Sequence, residues 1–255
     1  MIKIINMRSF AFLLLCSLPL FLFSQVSIEK TFPSKKGNLR FSKETFKMQY
    51  IKTTEIRKDS VQIYNAGKKN IDLKVDLVSN YIKLKVYPEQ LKPGERGYFV
   101  VSYNAQIKGD YGNSFEGVAI HTNDELEPEK SFFIMAYIEE DFSGLSKEDR
   151  ANAPKIKFSR EGFDFGKVKK GTKVDCSFEF SNEGKRDLVI RKTKASCGCT
   201  ATTPEKTILK PGEKSKINIS IDTSALHGDQ LKSVFVYCND PTYSSVTLTL
   251  TGIVE

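Results

Sequence analysis

The sequence predicts an all-β chain: two tandem immunoglobulin-like β-sandwich domains after an N-terminal signal peptide. Three observations predict it. Apolar and polar residues alternate with a period of two in short runs, as in Ile71-Asp72-Leu73-Lys74-Val75-Asp76-Leu77 and Ile217-Asn218-Ile219-Ser220-Ile221-Asp222, the pattern of half-buried strands. Turn-forming residues separate the runs: Asn182-Glu183-Gly184, Lys210-Pro211-Gly212 and Asn239-Asp240-Pro241. The unit is also written twice. Phe41-Ser42-Lys43-Glu44-Thr45-Phe46 matches Phe158-Ser159-Arg160-Glu161-Gly162-Phe163, Asn65-Ala66-Gly67-Lys68 matches Asn182-Glu183-Gly184-Lys185, Lys92-Pro93-Gly94-Glu95 matches Lys210-Pro211-Gly212-Glu213, and Asn123-Asp124 matches Asn239-Asp240, always in order and 116 to 118 residues apart.

Taken along the chain, residues 1–24 read as the signal peptide. Lys3 and Arg8 form the positive start, residues 10–23 form an apolar run of fourteen, and Ser24 offers a small residue for cleavage. A transmembrane helix needs about 20 apolar residues, and this run is shorter and contains Pro19. Cys16 is a poor lipid-attachment site, because Leu15 precedes it and it lies inside the run. Cleavage would remove two of the positive charges and take the net charge from +8 to +6, and would leave four of the five cysteines, in a compartment where disulfides persist. No other stretch approaches spanning length, so no transmembrane segment is expected in the mature chain, whose place is periplasmic, cell-surface or secreted.

Residues 26–140 form the first sandwich and residues 156–255 the second, with strands expected near 156–160, 163–168, 173–182, 187–196, 214–222, 231–238 and 245–254. Between them, residues 141–155 lack alternation and contain Gly144 and Pro154. They read as a linker that permits relative domain motion, with one helical turn at residues 146–150 capped by Ser146 and carrying Glu148 and Asp149 in its first turn. The immunoglobulin Cys…Trp…Cys signature is absent because the chain has no Trp.

Ala195-Ser196-Cys197-Gly198-Cys199-Thr200, with Phe165-Gly166-Lys167-Val168, residues 178–184, residues 209–213 and Asn239-Asp240-Pro241 around it, resembles the bacterial exported family called domain of unknown function 1573. That family's domain is immunoglobulin-like, similar to major sperm protein and hydin-type domains. The resemblance covers about residues 156–255. It implies a fold and no established activity. The first unit keeps the turns but has Ser79-Asn80-Tyr81-Ile82 in place of the cysteine box.

The thiol candidates are Cys176, Cys197 and Cys199. Cys176 and Cys238 are expected near opposite poles, about six residues or roughly 20 Å apart along a strand, too far for a bridge. Three readings of Cys197 and Cys199 stay open. One of them pairs with Cys176 as a staple between strands. Alternatively they pair with each other, which Gly198 makes possible by bending the chain. Or the two thiolates hold copper or zinc, with Cys176 or His227 as a further ligand. Asn182, Gly184, Pro211, Gly212, Asn239 and Asp240 are structural turn residues, and His121 is placed on the surface.

Two His residues leave little room for a His-based metalloenzyme, and no nucleophile box, P-loop or dinucleotide loop occurs. The positive charge is dispersed (Lys35-Lys36, Lys68-Lys69, Lys169-Lys170, Lys185-Arg186) without an aromatic-basic reading motif, so no nucleic acid is expected as partner. The expected role is that of a non-enzymatic exported interaction or scaffold module without cofactor, its partners envelope proteins or surface polymers. The alternative is a periplasmic thiol-redox or copper-binding module centred on the Cys-Gly-Cys box. A third reading, carbohydrate binding, uses Tyr237 and Tyr243 as exposed rings.

Overall fold

A computed structural model describes residues 28–255; the signal-peptide expectation lies outside them. The first domain opens with a short helix α1 (Ile28–Thr31) and a hairpin β1 (Ser34–Lys36) and β2 (Leu39–Phe41). It continues through β3 (Thr45–Lys52), β4 (Ile56–Asn65), β5 (Ile71–Val75), β6 (Ile82–Tyr87), β7 (Gln90–Leu91), β8 (Arg96–Asn104), α2 (Ala105–Lys108), β9 (Gly112–Thr122) and β10 (Glu129–Glu139). After α3 (Lys147–Ala151) the second domain follows the same order: β11 (Ile156–Phe158), β12 (Gly162–Val168), β13 (Lys173–Asn182), β14 (Leu188–Ala195), β15 (Thr200–Pro204), β16 (Ile208–Leu209), β17 (Lys214–Asp222), β18 (Gly228–Cys238) and β19 (Ser245–Val254).

The two domains share one topology. The first packs sheet β1-β2-β4-β8-β6 on sheet β3-β10-β9-β5-β7, and the second packs β11-β13-β17-β15 on β12-β19-β18-β14-β16. In each, the first long segment is split between the sheets: β2 and β11 run antiparallel to β4 and β13, whereas β3 and β12 run parallel to the last strand. The alternation seen in the sequence fills the space between the sheets. Phe46, Phe99 and Phe132 meet edge-to-face or tilted in the first core, and Phe178, Phe180, Ile217, Ile219, Val234 and Leu248 form the second. Such burial contributes about 1.5–3 kcal/mol per large side chain.

The repeated turns make the same bonds in both units. Asn65 and Asn182 are fully buried. Each amide donates to two carbonyls, Lys69 and Leu91 in one unit and Arg186 and Leu209 in the other, and each side-chain oxygen accepts from the N–H of Gly67 or Gly184. Pro211 and Gly212 sit in a tight turn closed by Glu213 N–H donating to Lys210 O, with Gly212 at φ 79°, a conformation that favours glycine. Asn239 accepts from Val189 N–H, and the buried Asp240 accepts from Ile156, Thr242 and Tyr243 N–H groups. Gly184 is required by close approach, since a Cβ there would meet the backbone of residues 153–155.

Two strands fall outside the sequence expectation. β15 reads Thr-Ala-Thr-Thr-Pro and shows no apolar alternation, and β16 is only two residues long. The linker is folded rather than open. α3 carries a capping box between Ser146 and Asp149, Arg150 donates to Phe142 O at 2.6 Å, and Arg186 pairs with Asp149 at 2.8 Å. The domains meet through β14, β18 and β19 of the second and the ends of β9 and β10 of the first. Arg191 grips Glu140 with two hydrogen bonds of 2.6 and 3.0 Å, Lys192 pairs with Asp110, Lys194 donates to Asn113 O, and Tyr111 stacks on Tyr237. Gly112 has a positive φ there, and a Cβ would overlap the Tyr237 hydroxyl. No helix among the described residues is long and apolar enough to cross a membrane.

Candidate functional site

The Cys-Gly-Cys box lies at the corner where the chain leaves β14 in one sheet for β15 in the other. Its backbone is pinned from both sides. Ser196 N–H donates to Ser233 O at 2.8 Å, Ser233 N–H donates to Ser196 Oγ at 3.1 Å, and Asp222 N–H donates to Cys199 O at 2.9 Å. A turn closes the corner through Thr200 N–H and Cys197 O. This turn brings the two cysteine Cα atoms to 5.4 Å, closer than two steps of extended strand (about 6.5 Å), and the two sulfurs are joined as a disulfide. Of the pairings left open by the sequence, the structure carries the local one.

Cys176 takes no part in it. It lies on β13 opposite Ile219 of β17, which in turn faces Thr202 of β15. Two strand spacings, roughly 10 Å, separate Cys176 from β15, beyond disulfide reach. Cys176 and Cys238 are free thiols. Burial pushes the Cys176 thiol up, against the pull of the Arg160 charge, and pushes Cys238 up to about 12, so both stay protonated at neutral pH. His227 is exposed in the loop before β18, its carbonyl accepting from Gln230. No group of three or more His, Cys, Asp or Glu side chains that could hold a metal ion occurs among the described residues. The copper or zinc set of Cys197, Cys199, Cys176 and His227 is therefore not assembled: two of its thiols are bonded to each other and the other two groups stand apart.

Thr200 was not singled out by the sequence argument. Its side chain is buried beneath the bridge, with Oγ1 3.4 Å from Cys197 Sγ and 3.8 Å from Cys199 Sγ. Only the geometry of the corner reveals it.

The first unit builds the same corner differently. Tyr81 packs edge-to-face on the buried Tyr103, with Lys108 Nζ 4.4 Å from the Tyr81 ring centre. Lys108 donates to Tyr81 Oη at 3.0 Å and to Glu116 at 2.6 Å, and Tyr103 bonds Ser114. Burial alone would lower Lys108, but the bonds to Glu116 and Tyr81 reverse this and hold it well above the usual lysine range.

A second feature was invisible as a pattern. The outer face of sheet β3-β10-β9 carries a contiguous apolar strip. Phe133 stacks on Phe115 at 4.9 Å, Met135 lies opposite Phe115, and Tyr137 meets Tyr50 at 5.1 Å. Phe115 is 61%, Tyr50 67%, Met135 47% and Phe133 41% exposed. Of the tyrosines weighed for carbohydrate, Tyr237 is not exposed at all: at 3% it is covered by the first domain, and only Tyr243 is open. His121 is on the surface, paired with Asp76 at 2.7 Å.

Among solved structures, a protein of unknown function from Porphyromonas gingivalis W83 is similar over 85% of this chain and 100% of its own, with a TM-score of 0.61 and 15% identity, which shows a shared fold. The seventh PapD-like (ASH) domain of human CEP192 is 14% identical over 46% of this chain and 97% of its own, with a TM-score of 0.35. No curated protein matches the sequence. Residues 156–254 match the family described as protein of unknown function (DUF1573), so the second domain is the part of this chain that carries that family's sequence.

Proposed function

We propose that the chain is a non-enzymatic exported protein of the cell envelope whose two immunoglobulin-like domains act as a protein-interaction or scaffold module. The apolar strip of Phe115, Phe133, Met135, Tyr50 and Tyr137 carries this reading. Contiguous exposed aromatic surface costs solubility, and its retention marks an interaction site. The repeat supplies an internal control. At the positions of Phe133, Met135 and Tyr50, the second unit has Thr249, Thr251 and Lys167, while Phe115 and Tyr137 are matched by the isolated Leu231 and Ile253. The fold therefore does not require a contiguous aromatic strip. Its partner is an envelope protein or surface polymer with a complementary apolar face.

The test compares the wild-type chain with the Phe115→Ser, Phe133→Ser double variant as bait for solubilised envelope fractions. Both side chains point outward, so folding is expected to survive, within about 1 kcal/mol. The expected result is a discrete set of species held by the wild type and lost from the variant. Equal retention by both would refute the strip as the binding face.

The alternative of a copper-binding module finds no support in the donor set described above. The thiol half of that alternative is favoured by the placement of the Cys197–Cys199 bridge at an open corner.

A further inference from the structure

We propose that the Cys197–Cys199 bridge is a thiol–disulfide exchange site that accepts two electrons from an external dithiol, with Cys199 Sγ as the sulfur attacked and Cys197 as the leaving group received by the Thr200 hydroxyl. This does not depend on the docking role; it rests on, and deepens, the thiol reading of the corner bridge.

Four observations carry the inference. The bridge is poorly placed as a staple. It spans two positions in sequence, the short end of a range in which stabilisation grows with loop length. The corner is held without it, by backbone bonds from Ser196, Thr200 and Asp222 and by the Ser196 hydroxyl. Reduction therefore leaves two thiols facing each other across a preformed turn, where closure is intramolecular and favoured. The site is reachable: both cysteines are part-exposed, Gly198 between them is exposed, and no atom beyond residues 197–199 lies within 4 Å of where its Cβ would be. An incoming thiolate therefore meets no other part of the chain over Gly198. Finally, a buried hydroxyl is aimed at the sulfurs, nearer to Cys197 (3.4 Å) than to Cys199 (3.8 Å). A hydrogen bond to a thiolate stabilises it as a leaving group, and a better leaving thiolate departs faster.

The step balances. One thiolate of the dithiol attacks Cys199 Sγ, forming a mixed disulfide as the Cys197–Cys199 bond breaks and its electron pair leaves on Cys197 Sγ, which takes the Thr200 hydrogen bond and then a proton from water. The second thiolate of the dithiol attacks its own sulfur in the mixed disulfide and expels Cys199 as thiolate, which is protonated in turn. The dithiol is oxidised to its disulfide and the corner gains two electrons and two protons. Thr200 touches only the sulfurs of this chain and acts as a positioning residue. Cys238, buried and held protonated, does not compete.

Dithiothreitol serves as the dithiol probe on the oxidised full chain, with alkylation under native conditions and peptide mass spectrometry. The expected result is that Cys197 and Cys199 become alkylated together while Cys238 stays protected and the circular dichroism spectrum is unchanged. Oxidised glutathione then restores the bridge. Reduction only after unfolding, or loss of the fold on reduction, would overturn exchange and make the bridge a staple. Thr200→Val should slow reduction about three- to tenfold at a fixed pH and dithiol concentration, and Thr200→Ser should restore the rate. A wild-type rate in Thr200→Val would overturn the role of Thr200. Independently of any variant, the monothiol cysteamine should be trapped on Cys199; trapping on Cys197 would overturn the direction of attack.

Discussion

At the scale of single residues, buried polar groups decide which turns hold. Asn182 satisfies two carbonyls and two N–H groups, those of Gly184 and Lys155, from a fully buried position. Asn182→Ala removes all four bonds at once and strands their partners. At about 1 kcal/mol per bond, it should cost about 4 kcal/mol in urea unfolding, and Asn65→Ala, which loses three such bonds in the first unit, about 3 kcal/mol. Asp124 poses a different problem. It is buried against Lys130, both side chains being 0% exposed and 2.9 Å apart. Burial pushes the Asp124 carboxyl up, yet the bonds from Lys130, from the Asn38 and Leu126 N–H groups and from the Asn38 amide more than offset it and hold it below the usual range. A carboxyl held low in the folded state stabilises the fold above its unfolded pKa, near 4, and the contribution is lost as pH falls through the lower folded value. Acid titration of the melting temperature should show a first-domain loss below pH about 4, and Asp124→Asn should remove that loss while lowering stability at neutral pH. Lys130→Val leaves a buried carboxylate unpaired and should cost about 3–5 kcal/mol, even though Val246 occupies the matching place in the second unit. The turn residues were legible because Asn, Gly and Pro announce themselves by type and recur at a fixed offset. The Asp124–Lys130 pair was not, because a lysine in an alternating strand reads as an outward residue until its partner is seen beneath it.

At the scale of elements, strands with an alternating apolar face were readable, edge strands β11 and β12 included, and strands without one were not. β13, β17 and β19 sit at the positions their alternation implies. β15 reads Thr-Ala-Thr-Thr-Pro, so although Thr200 is buried no apolar alternation was there to read. Two unlike devices occupy the corner ahead of β15 and its counterpart in the first unit, a disulfide on an already pinned backbone in one and the Tyr81–Tyr103–Lys108–Glu116 cluster in the other. Tyr81→Ala should therefore destabilise the first domain, by about 2–4 kcal/mol, as read by calorimetry. Cys197→Ser with Cys199→Ser should cost the second domain less, under about 2 kcal/mol, because the bridge closes so short a loop.

At the scale of the whole molecule, two sandwiches of one plan differ in what they expose. The first presents an apolar strip and the second an open corner disulfide. Between them, the joint is polar: Glu140–Arg191, Asp110–Lys192 and the Tyr111–Tyr237 stack. The sequence could count the domains from the repeat, but not dock them, because these partners lie 50 to 130 residues apart and follow no periodicity. Burial raises the Asp110 carboxyl, and bonds from Lys192 and the Tyr111 N–H lower it further than that, so it is ionised at neutral pH. Arg191→Glu should loosen the joint and raise the radius of gyration in small-angle scattering, and Glu140→Arg in the same chain should restore it. The pair is part-exposed, so a coupling of about 0.5–1 kcal/mol is expected, smaller at high salt.

The central claim is that the first domain's outer strip is where this protein meets its partner. Photo-crosslinking tests it most directly. A photoreactive benzophenone side chain is placed at Phe115, or at Thr249 on the equivalent face of the second unit, and the chain is irradiated in intact envelopes. The account predicts a discrete adduct from position 115 and none from position 249. No adduct from 115, or the same adduct from both, would contradict it.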